Sequence, residues 1–539
     1  MMRPSPPKPG TLPFPLSSIA GAADGDTRGA RPGWIDGLAI VLFTAVGLAL
    51  RLPLLTRGIW RDEGSTYADV LAPSLGAMLA HLPVTELTPP LYFIVMFYWT
   101  RAAGTSEVAL HVPSLIFGLA TIGVMYVFGK LIAGRVGAIV CAGAATLSPL
   151  AIALDVEARS YALVMFLAGL LLIAFSRALL ERDRRPKPAA CIAVFVCGFL
   201  LVATHFTGLV IVAALAMCAV VNAGVRRNAA SYALAASSLA ASAAGLPLLL
   251  PLRAAEEKLP RLPDVRELHW FDRISDHLNA FSPFGSMHYQ LNVLLAVGVA
   301  VWLGTLAFRR RDERDALTAV MLTVVVLGIG ASIARGLPIE RHLTPYAPAV
   351  WALMGLLVSM FVTWLRPIPS LRWLAALPLA YAIVAGLVAY PRVYARGSGP
   401  ISGGRAAFAA FSSCCDRGPT LVVAAPDFLG PTIYYYARGR PGIVLRGVGT
   451  WDAPQFYNLD PRRWNQPNFV RDEARQIRDL SQALHARVVI FGTTDRAGYY
   501  PTSVDRSNDV TALLARQKGV LFERHFPGSR ESIVLTVLR

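Results

Sequence analysis

The sequence predicts a polytopic α-helical membrane protein with a separate C-terminal α/β domain outside the membrane. Three observations carry that expectation. Hydrophobic residues make up 55% of the chain and charged residues only 16%, with a mean hydropathy of +0.49, a balance outside the range of soluble globular chains. Charge-free runs recur at about the ~20 residues a helix needs to cross the hydrocarbon core. The final 148 residues then turn polar and alternate strand-like with helix-like runs, the pattern of a small α/β domain.

Residues 1–33 are rich in Pro, Gly and Ser, a composition that does not bury a core, and are expected to be a disordered cytoplasmic segment. They lack the short apolar core of a cleaved signal peptide, so Trp34–Leu55 is expected to remain as the first span, flawed by Asp36 and Arg51 at its ends. No Asp, Glu, Lys or Arg interrupts Val112–Gly129, Val136–Leu154, Ser160–Ser176, Asn228–Leu252, Tyr289–Phe308, Ala316–Ala334, Leu343–Leu365 or Trp373–Pro391. Ala189–Val225 runs 37 residues without a charge and carries His205 near its middle, where it divides into two helices. About eleven spans result, in a membrane domain over residues 34–391.

Leu91–Thr100 is apolar but only ten residues long before Arg101, and follows the helix-starting pair Pro89–Pro90. It reads as an interfacial or re-entrant helix within an outer loop over residues 56–111. With the N-terminus inside, the cytoplasmic stretches hold 19 Lys/Arg in 67 residues and the outer ones 11 in 106, as the positive-inside rule requires. That orientation puts residues 392–539 on the extracytoplasmic (periplasmic) side of a plasma or inner membrane, as an α/β domain with strand-like TLVVAA, ARVVIFG and SIVLTVL.

The net charge of +17 is spread over loops on both sides and the tail. It fits topology and anionic lipid head groups, and no compact basic face points to nucleic acid. Of six cysteines only Cys414 and Cys415 reach the outer domain, so no disulfide framework is expected, and no Cys/His cluster has zinc spacing.

Under this topology polar residues gather at one face. Asp62 and Glu63 follow the first span, Asp69, Glu86 and Glu107 lie in the same loop, and Asp155, Glu157 and Arg159 fill the five-residue connection DVEAR. His205 marks the next outward turn, and Glu340–Arg341–His342 opens a later inward span. Ionisable groups at a membrane boundary are candidates for a site. A carboxylate can act as general base on a hydroxyl or amine, and arginine binds phosphate bidentately and stabilises its charge on leaving. Together beside a bilayer they indicate transfer of a group from a lipid phosphate to an acceptor. The sequence has no Gly-rich phosphate loop, so a nucleotide donor is not indicated. The alternative is a lipid or solute transporter that binds cargo with the same charges, although no internal repeat is visible.

The order Trp60-x-Asp62-Glu63, then Thr88-Pro-Pro-Leu-Tyr92, then Ser148-Pro149 and Glu157-Ala-Arg159-Ser-Tyr161, then His205 resembles glycosyltransferases of the GT-C fold that use polyprenyl-phosphate sugars. Protein O-mannosyltransferases and lipid A aminoarabinose transferases are among them. Where those two groups carry His or Lys before Pro-Pro, this chain has Thr88. The resemblance implies a sugar on a polyprenyl phosphate as donor, a lipid, glycan or protein acceptor, an outward-facing site and juxtamembrane helices in the first outer loop. It further implies Asp62 as catalytic carboxylate with Glu63 in support, and Asp155 and Glu157 as a second acidic element. Arg159 with Arg341 or His342 would bind the donor phosphate, Tyr92 and Tyr161 would shape the pocket, and His205 would line it. Some relatives use a divalent metal, for which Asp155 and Glu157 are the candidate oxygen ligands.

Overall fold

A computed structural model of the chain describes residues 33–86, 88–180, 187–226, 229–256, 299, 303, 313–335, 342–365, 370, 400–415, 418–449, 455–456, 463–495 and 501–539. The expected span 373–391, all of the expected span 289–308 but residues 299 and 303, Arg341 and nearly all of the N-terminal segment lie outside those residues. The chain divides into one unit of residues 1–42 and another of residues 43–539. The first, described from Gly33, forms the opening turns of helix α1 (Trp34–Arg51). All other described elements belong to the second.

Among the described residues six helices are long and apolar enough to cross a membrane: Trp34–Leu54, Glu107–Leu147, Tyr161–Leu180, Ala229–Ala254, Arg314–Ser332 and Thr344–Leu365. Between α1 and the next long helix come three short ones, α2 (Arg61–Val70), α3 (Leu75–Thr85) and α4 (Leu91–Ala103). The 13 residues of α4 span ~20 Å, short of the ~30 Å hydrocarbon core, as its sequence led one to expect. Helix α5 (Glu107–Leu147) is two helices joined at Gly134, whose φ of +67° and ψ of −154° lie outside the helical region. That left-handed φ suits glycine, which has no Cβ to clash. The third expected span, 136–154, is divided by the structure. Ser148 caps a separate helix α6 (Pro149–Leu154) through Ala151 N–H (3.3 Å), with Pro149 in the first turn where its missing N–H costs no bond.

Helices α7 (Tyr161–Leu180), α8 (Pro188–Thr204), α9 (Gly208–Arg226), α10 (Ala229–Glu256), α11 (Glu313–Arg335) and α12 (Ala347–Leu365) complete the described bundle. The break between α8 and α9 falls at His205, as expected.

After residue 400 the chain forms α13 (Gly404–Cys415), β1 (Thr420–Ala425), α14 (Gly430–Ala437), β2 (Ile443–Gly447), α15 (Phe469–Ala483), β3 (Arg487–Gly492), α16 (Pro501–Lys518), β4 (Val520–Phe526) and β5 (Ile533–Leu538). The strands make one sheet, β2-β1-β3-β5-β4, parallel across β2, β1 and β3 and antiparallel at β5 and β4. All six residues of β1 are buried, because helices cover both faces of the sheet. Phe408 and Phe411 of α13 and Ile433 of α14 pack with Val422, Ala424, Val489 and Phe491 on one face. Phe469 and Ile477 of α15 and Leu514 of α16 pack with Leu421, Val423, Val488 and Ile490 on the other. The adjacent Cys414 and Cys415 are joined to each other. Being neighbours, they tie no separate elements together.

Candidate functional site

The stretch Gly58-Ile-Trp-Arg-Asp-Glu-Gly-Ser-Thr-Tyr67 turns at Gly58 (φ +94°) and starts α2 with Trp60 as N-cap in extended backbone. Asp62 and Glu63 fall in the first turn, where negative charge complements the helix dipole. This polar helix is buried nonetheless: Arg61 through Tyr67, Asp69 and Val70 all have little exposure. The reason is the C-terminal α/β domain, whose α14 lies against α2. A Cβ on Gly64 would sit 2.5 Å from the backbone carbonyl of Pro431, so only glycine permits this approach. Tyr67 packs its ring against Tyr434 and Tyr435 at 6.0 and 5.0 Å.

Glu63 is fully buried and faces inward. Its Oε1 accepts from His111 Nε2 (3.0 Å) and Ala158 N–H (2.9 Å), its Oε2 from Trp60 N–H (3.3 Å), and His111 Nδ1 meets Leu55 O at 2.8 Å. Burial alone would raise its pKa, but the charge and hydrogen bond of His111, the charge of Arg57 and the Ala158 N–H hold it below the usual carboxylate range. Glu63 thus ties α2 to α5 and to the DVEAR connection, one residue from Arg159.

Asp62 is 7% exposed. Its Oδ1 accepts from Arg61 Nε (3.1 Å), while its carbonyl accepts from Arg159 Nη1 (3.0 Å) and Thr66 Oγ1 (3.1 Å). Arg159 Nη1 also donates to Glu86 Oε2 (2.6 Å) and Thr66 Oγ1 (3.1 Å). Burial would lower the guanidinium pKa, but the charges of Glu86, Tyr161 and Asp62 raise it well above its ordinary value, so Arg159 stays cationic. Beside this group Asp69 Oδ1 accepts from Thr85 Oγ1 (2.8 Å). Burial and then the charge of Glu86 push Asp69 up to about 8; burial raises Glu86 as well, against Arg159. Glu86 and Asp69 were legible as outer-loop carboxylates but carried no motif that singled them out.

The raised Asp69 pKa fixes a sign. A carboxyl that holds its proton more tightly folded than unfolded stabilises at low pH, and that contribution is lost as pH rises from about 4 through about 8. Asp69→Asn is expected to flatten the fall in melting temperature between pH 5 and pH 9. Scanning calorimetry across that range checks it, and an unchanged slope contradicts it.

Other sequence candidates are placed differently. Asp155 is buried against Arg51, whose Nε and Nη2 each donate to Oδ2 at 2.8 Å, while Nη1 and Nη2 also reach Gly47 O, Thr146 O and Ala145 O. Burial pushes Asp155 up to about 6 despite Arg51. Glu157 is fully buried between Arg57 Nη2 (3.4 Å) and Arg530 Nη2 of the C-terminal α/β domain (2.7 Å). Asp155 and Glu157 are thus each paired with arginine within the structure. The pair is also a poor fit for a divalent metal, and among the described residues no group of three or more His, Cys, Asp or Glu is placed to hold one. Arg51→Met is expected to cost about 3–5 kcal/mol by leaving Asp155 buried and unpaired, with part restored in Arg51→Met/Asp155→Asn. Thermal unfolding in detergent measures both, and equal melting of single and double variants contradicts the pairing.

Tyr92 is buried and its hydroxyl meets Ser114 Oγ (3.0 Å), which donates to Arg159 O (3.2 Å). Burial raises the Tyr92 pKa, so it stays protonated. Tyr161, His205 and His342 form a second cluster, with ring centroids 6.3 Å apart for Tyr161 and His205 and 5.6 Å for His205 and His342. His205 Nδ1 lies 2.7 Å from Thr207 Oγ1 and 3.3 Å from Thr207 N. Burial first, then His342 and Arg159, hold the His205 pKa well below its ordinary value, so His205 is a neutral donor. The C-terminal-domain residues of the site, Arg530 and Glu531, had no signal in the sequence.

A helical bundle, three short helices between its first two long helices, and a docked α/β domain make up the chain, and its fold is similar to that of solved structures. ArnT from Cupriavidus metallidurans in the apo state matches with a TM-score of 0.57 at 14% identity, over 94% of this chain and 98% of that one. The chain has the GT-C fold. ArnT bound to undecaprenyl phosphate matches this GT-C chain with a TM-score of 0.51 at 17% identity, over 94% and 98%. The apo oligosaccharyltransferase of Archaeoglobus fulgidus matches with a TM-score of 0.53 at 12% identity, over 91% of this chain and 74% of that one. No protein-family model matches the sequence and no curated protein matches it significantly.

Proposed function

We propose that the protein is an integral membrane glycosyltransferase that moves a sugar from a polyprenyl-phosphate donor to a hydroxyl or amine of a lipid, glycan or protein acceptor on the outer face of the membrane. The observation that carries the reading is the meeting of Asp62, Glu86 and Arg159 on and beside α2, within a GT-C fold. A solved structure of ArnT with this fold holds undecaprenyl phosphate, which supports a polyprenyl-phosphate donor here.

In this reading the acceptor oxygen or nitrogen attacks the anomeric carbon and the bond from that carbon to the phosphate oxygen breaks. Asp62 takes the acceptor proton as general base, and the electron pair leaves with the polyprenyl phosphate. Arg159, with Arg341 or His342, offers positive charge to the phosphate, and His205 lines the pocket. Glu63, held by His111 and Ala158, fixes the helix that presents Asp62. Tyr92 and Tyr161 shape the walls, and Asp155 and Glu157 act through the arginines they bind. The N-terminus is placed in the cytoplasm and the α/β domain outside.

Mass analysis of the lipid tests this. Protein in nanodiscs with a polyprenyl-phosphate sugar and an outer-envelope extract is expected to convert the donor to bare polyprenyl phosphate. Donor recovered intact after translocation would instead identify a transporter.

A further inference from the structure

Trp60 is the N-cap of α2, yet an indole carries no oxygen to accept from the first free N–H groups of a helix, as Ser, Thr, Asp or Asn would. The helix that presents Asp62 therefore takes its capping oxygens from elsewhere. Glu63 Oε2 reaches back to Trp60 N–H. The next group, Arg61 N–H, donates to Glu531 Oε2 (3.3 Å), 470 residues away in the outer domain. We propose that Glu531 is a positioning residue for Asp62, acting as the N-terminal cap of α2 from the outer domain. This rests on the reading of Asp62 as the catalytic carboxylate.

The 3.3 Å contact is long for a hydrogen bond, but the carboxylate that accepts it is held on all sides. Glu531 Oε1 accepts from Ser402 Oγ (2.6 Å) and Thr432 Oγ1 (2.8 Å). Its backbone N–H donates to Ile401 O (3.2 Å) and its carbonyl accepts from Gly403 N–H (2.8 Å). Ile401 N–H in turn donates to Arg57 O (3.1 Å), just ahead of α2. The residue is 5% exposed, so water does not compete for the helix end.

Its neighbour grips the same place. Arg530 Nη2 pairs with Glu157 Oε1 at 2.7 Å, and its guanidinium lies 4.7 Å from the centre of the Trp60 ring. One dipeptide of the β4–β5 turn thus touches the N-cap residue, the first helical N–H and the connection that carries Arg159. A domain held only by shape would meet α2 along its length. Here the charged and hydrogen-bonding grips from this turn concentrate on the helix start, one residue from Asp62. The outer domain would therefore set the position of the reacting carboxylate rather than merely cover it.

Hydrogen exchange on nanodisc-embedded protein tests the proposal without needing a substrate. In Glu531→Ala, amide exchange across Arg61–Gly64 is expected to rise about fivefold, as loss of a cap implies, with the sheet residues Leu421–Val423 unchanged. Glu531→Gln keeps a carbonyl for Arg61 N–H and is expected to recover most of the protection. In the transfer assay kcat of Glu531→Ala falls about tenfold, with donor KM within about twofold, and Glu531→Gln restores most of it. Unchanged exchange at Arg61–Gly64 in Glu531→Ala overturns the proposal, as does equal loosening of the sheet, which would make Glu531 a residue of domain stability alone. If wild type consumes no donor while the exchange pattern is as expected, the transferase reading fails and the capping stands.

Discussion

Asp62→Asn is expected to lower turnover by a factor on the order of 10² to 10⁴, the usual worth of a positioned general base, while leaving the fold intact. Asparagine has the size of aspartate and keeps a carbonyl oxygen for the Arg61 Nε contact. The bonds from Arg159 and Thr66 go to the Asp62 backbone carbonyl and are untouched. What is lost is the ability to take a proton. Donor binding is expected to persist, because the cationic groups assigned to the phosphate remain, so kcat carries the loss and KM changes little. Steady-state kinetics beside a thermal melt separates this from misfolding. Full turnover in the variant removes Asp62 from the mechanism.

Gly64→Val is expected to be nearly as damaging by a different route. Even the first added carbon would lie 2.5 Å from Pro431 C and O and 2.9 Å from Thr432 N. Those are backbone atoms, so α14 itself has to move. Overpacking of this kind costs about 1–3 kcal/mol or more, and the shift carries the neighbouring contacts with it. Among them are the Tyr67–Tyr435 packing, Arg438 over the Tyr67 ring at 5.0 Å, and the Thr432 bond to Glu531. A lower melting temperature and faster amide exchange in both α2 and α14 are the expected readouts, with transfer reduced in parallel. A variant that melts and exchanges as wild type does would show that the approach of the two helices is not tight.

What the sequence revealed, and what it hid, follows from distance along the chain. Spans are local signals of composition, and Pro89–Pro90 with ten apolar residues was enough to foresee α4 as too short to cross. Thr88 itself is tied locally, donating to Glu86 O (3.0 Å). Asp62, Glu63 and Arg159 could be gathered because their motifs lie at span ends. The partnerships could not. Arg51 looked like a flaw at the end of the first span, but it pairs with Asp155, 104 residues on. Glu157 pairs with Arg57 and with Arg530, far along the chain. His111 gave no sign that it would bond Glu63. The burial of a polar helix such as α2 is illegible until α14 is seen against Gly64, because no local pattern encodes a cover supplied some 370 residues later.

The central claim is that this GT-C chain breaks the bond between a sugar and a polyprenyl phosphate and forms a new one to an acceptor. The most direct test follows a radiolabelled sugar from a panel of polyprenyl-phosphate donors, with purified protein in nanodiscs and outer-envelope extracts as acceptor source. The account predicts that label becomes covalently joined to an acceptor, in step with release of bare polyprenyl phosphate, for wild type and not for Asp62→Asn. Well-folded protein that leaves every donor of a broad panel intact would contradict it.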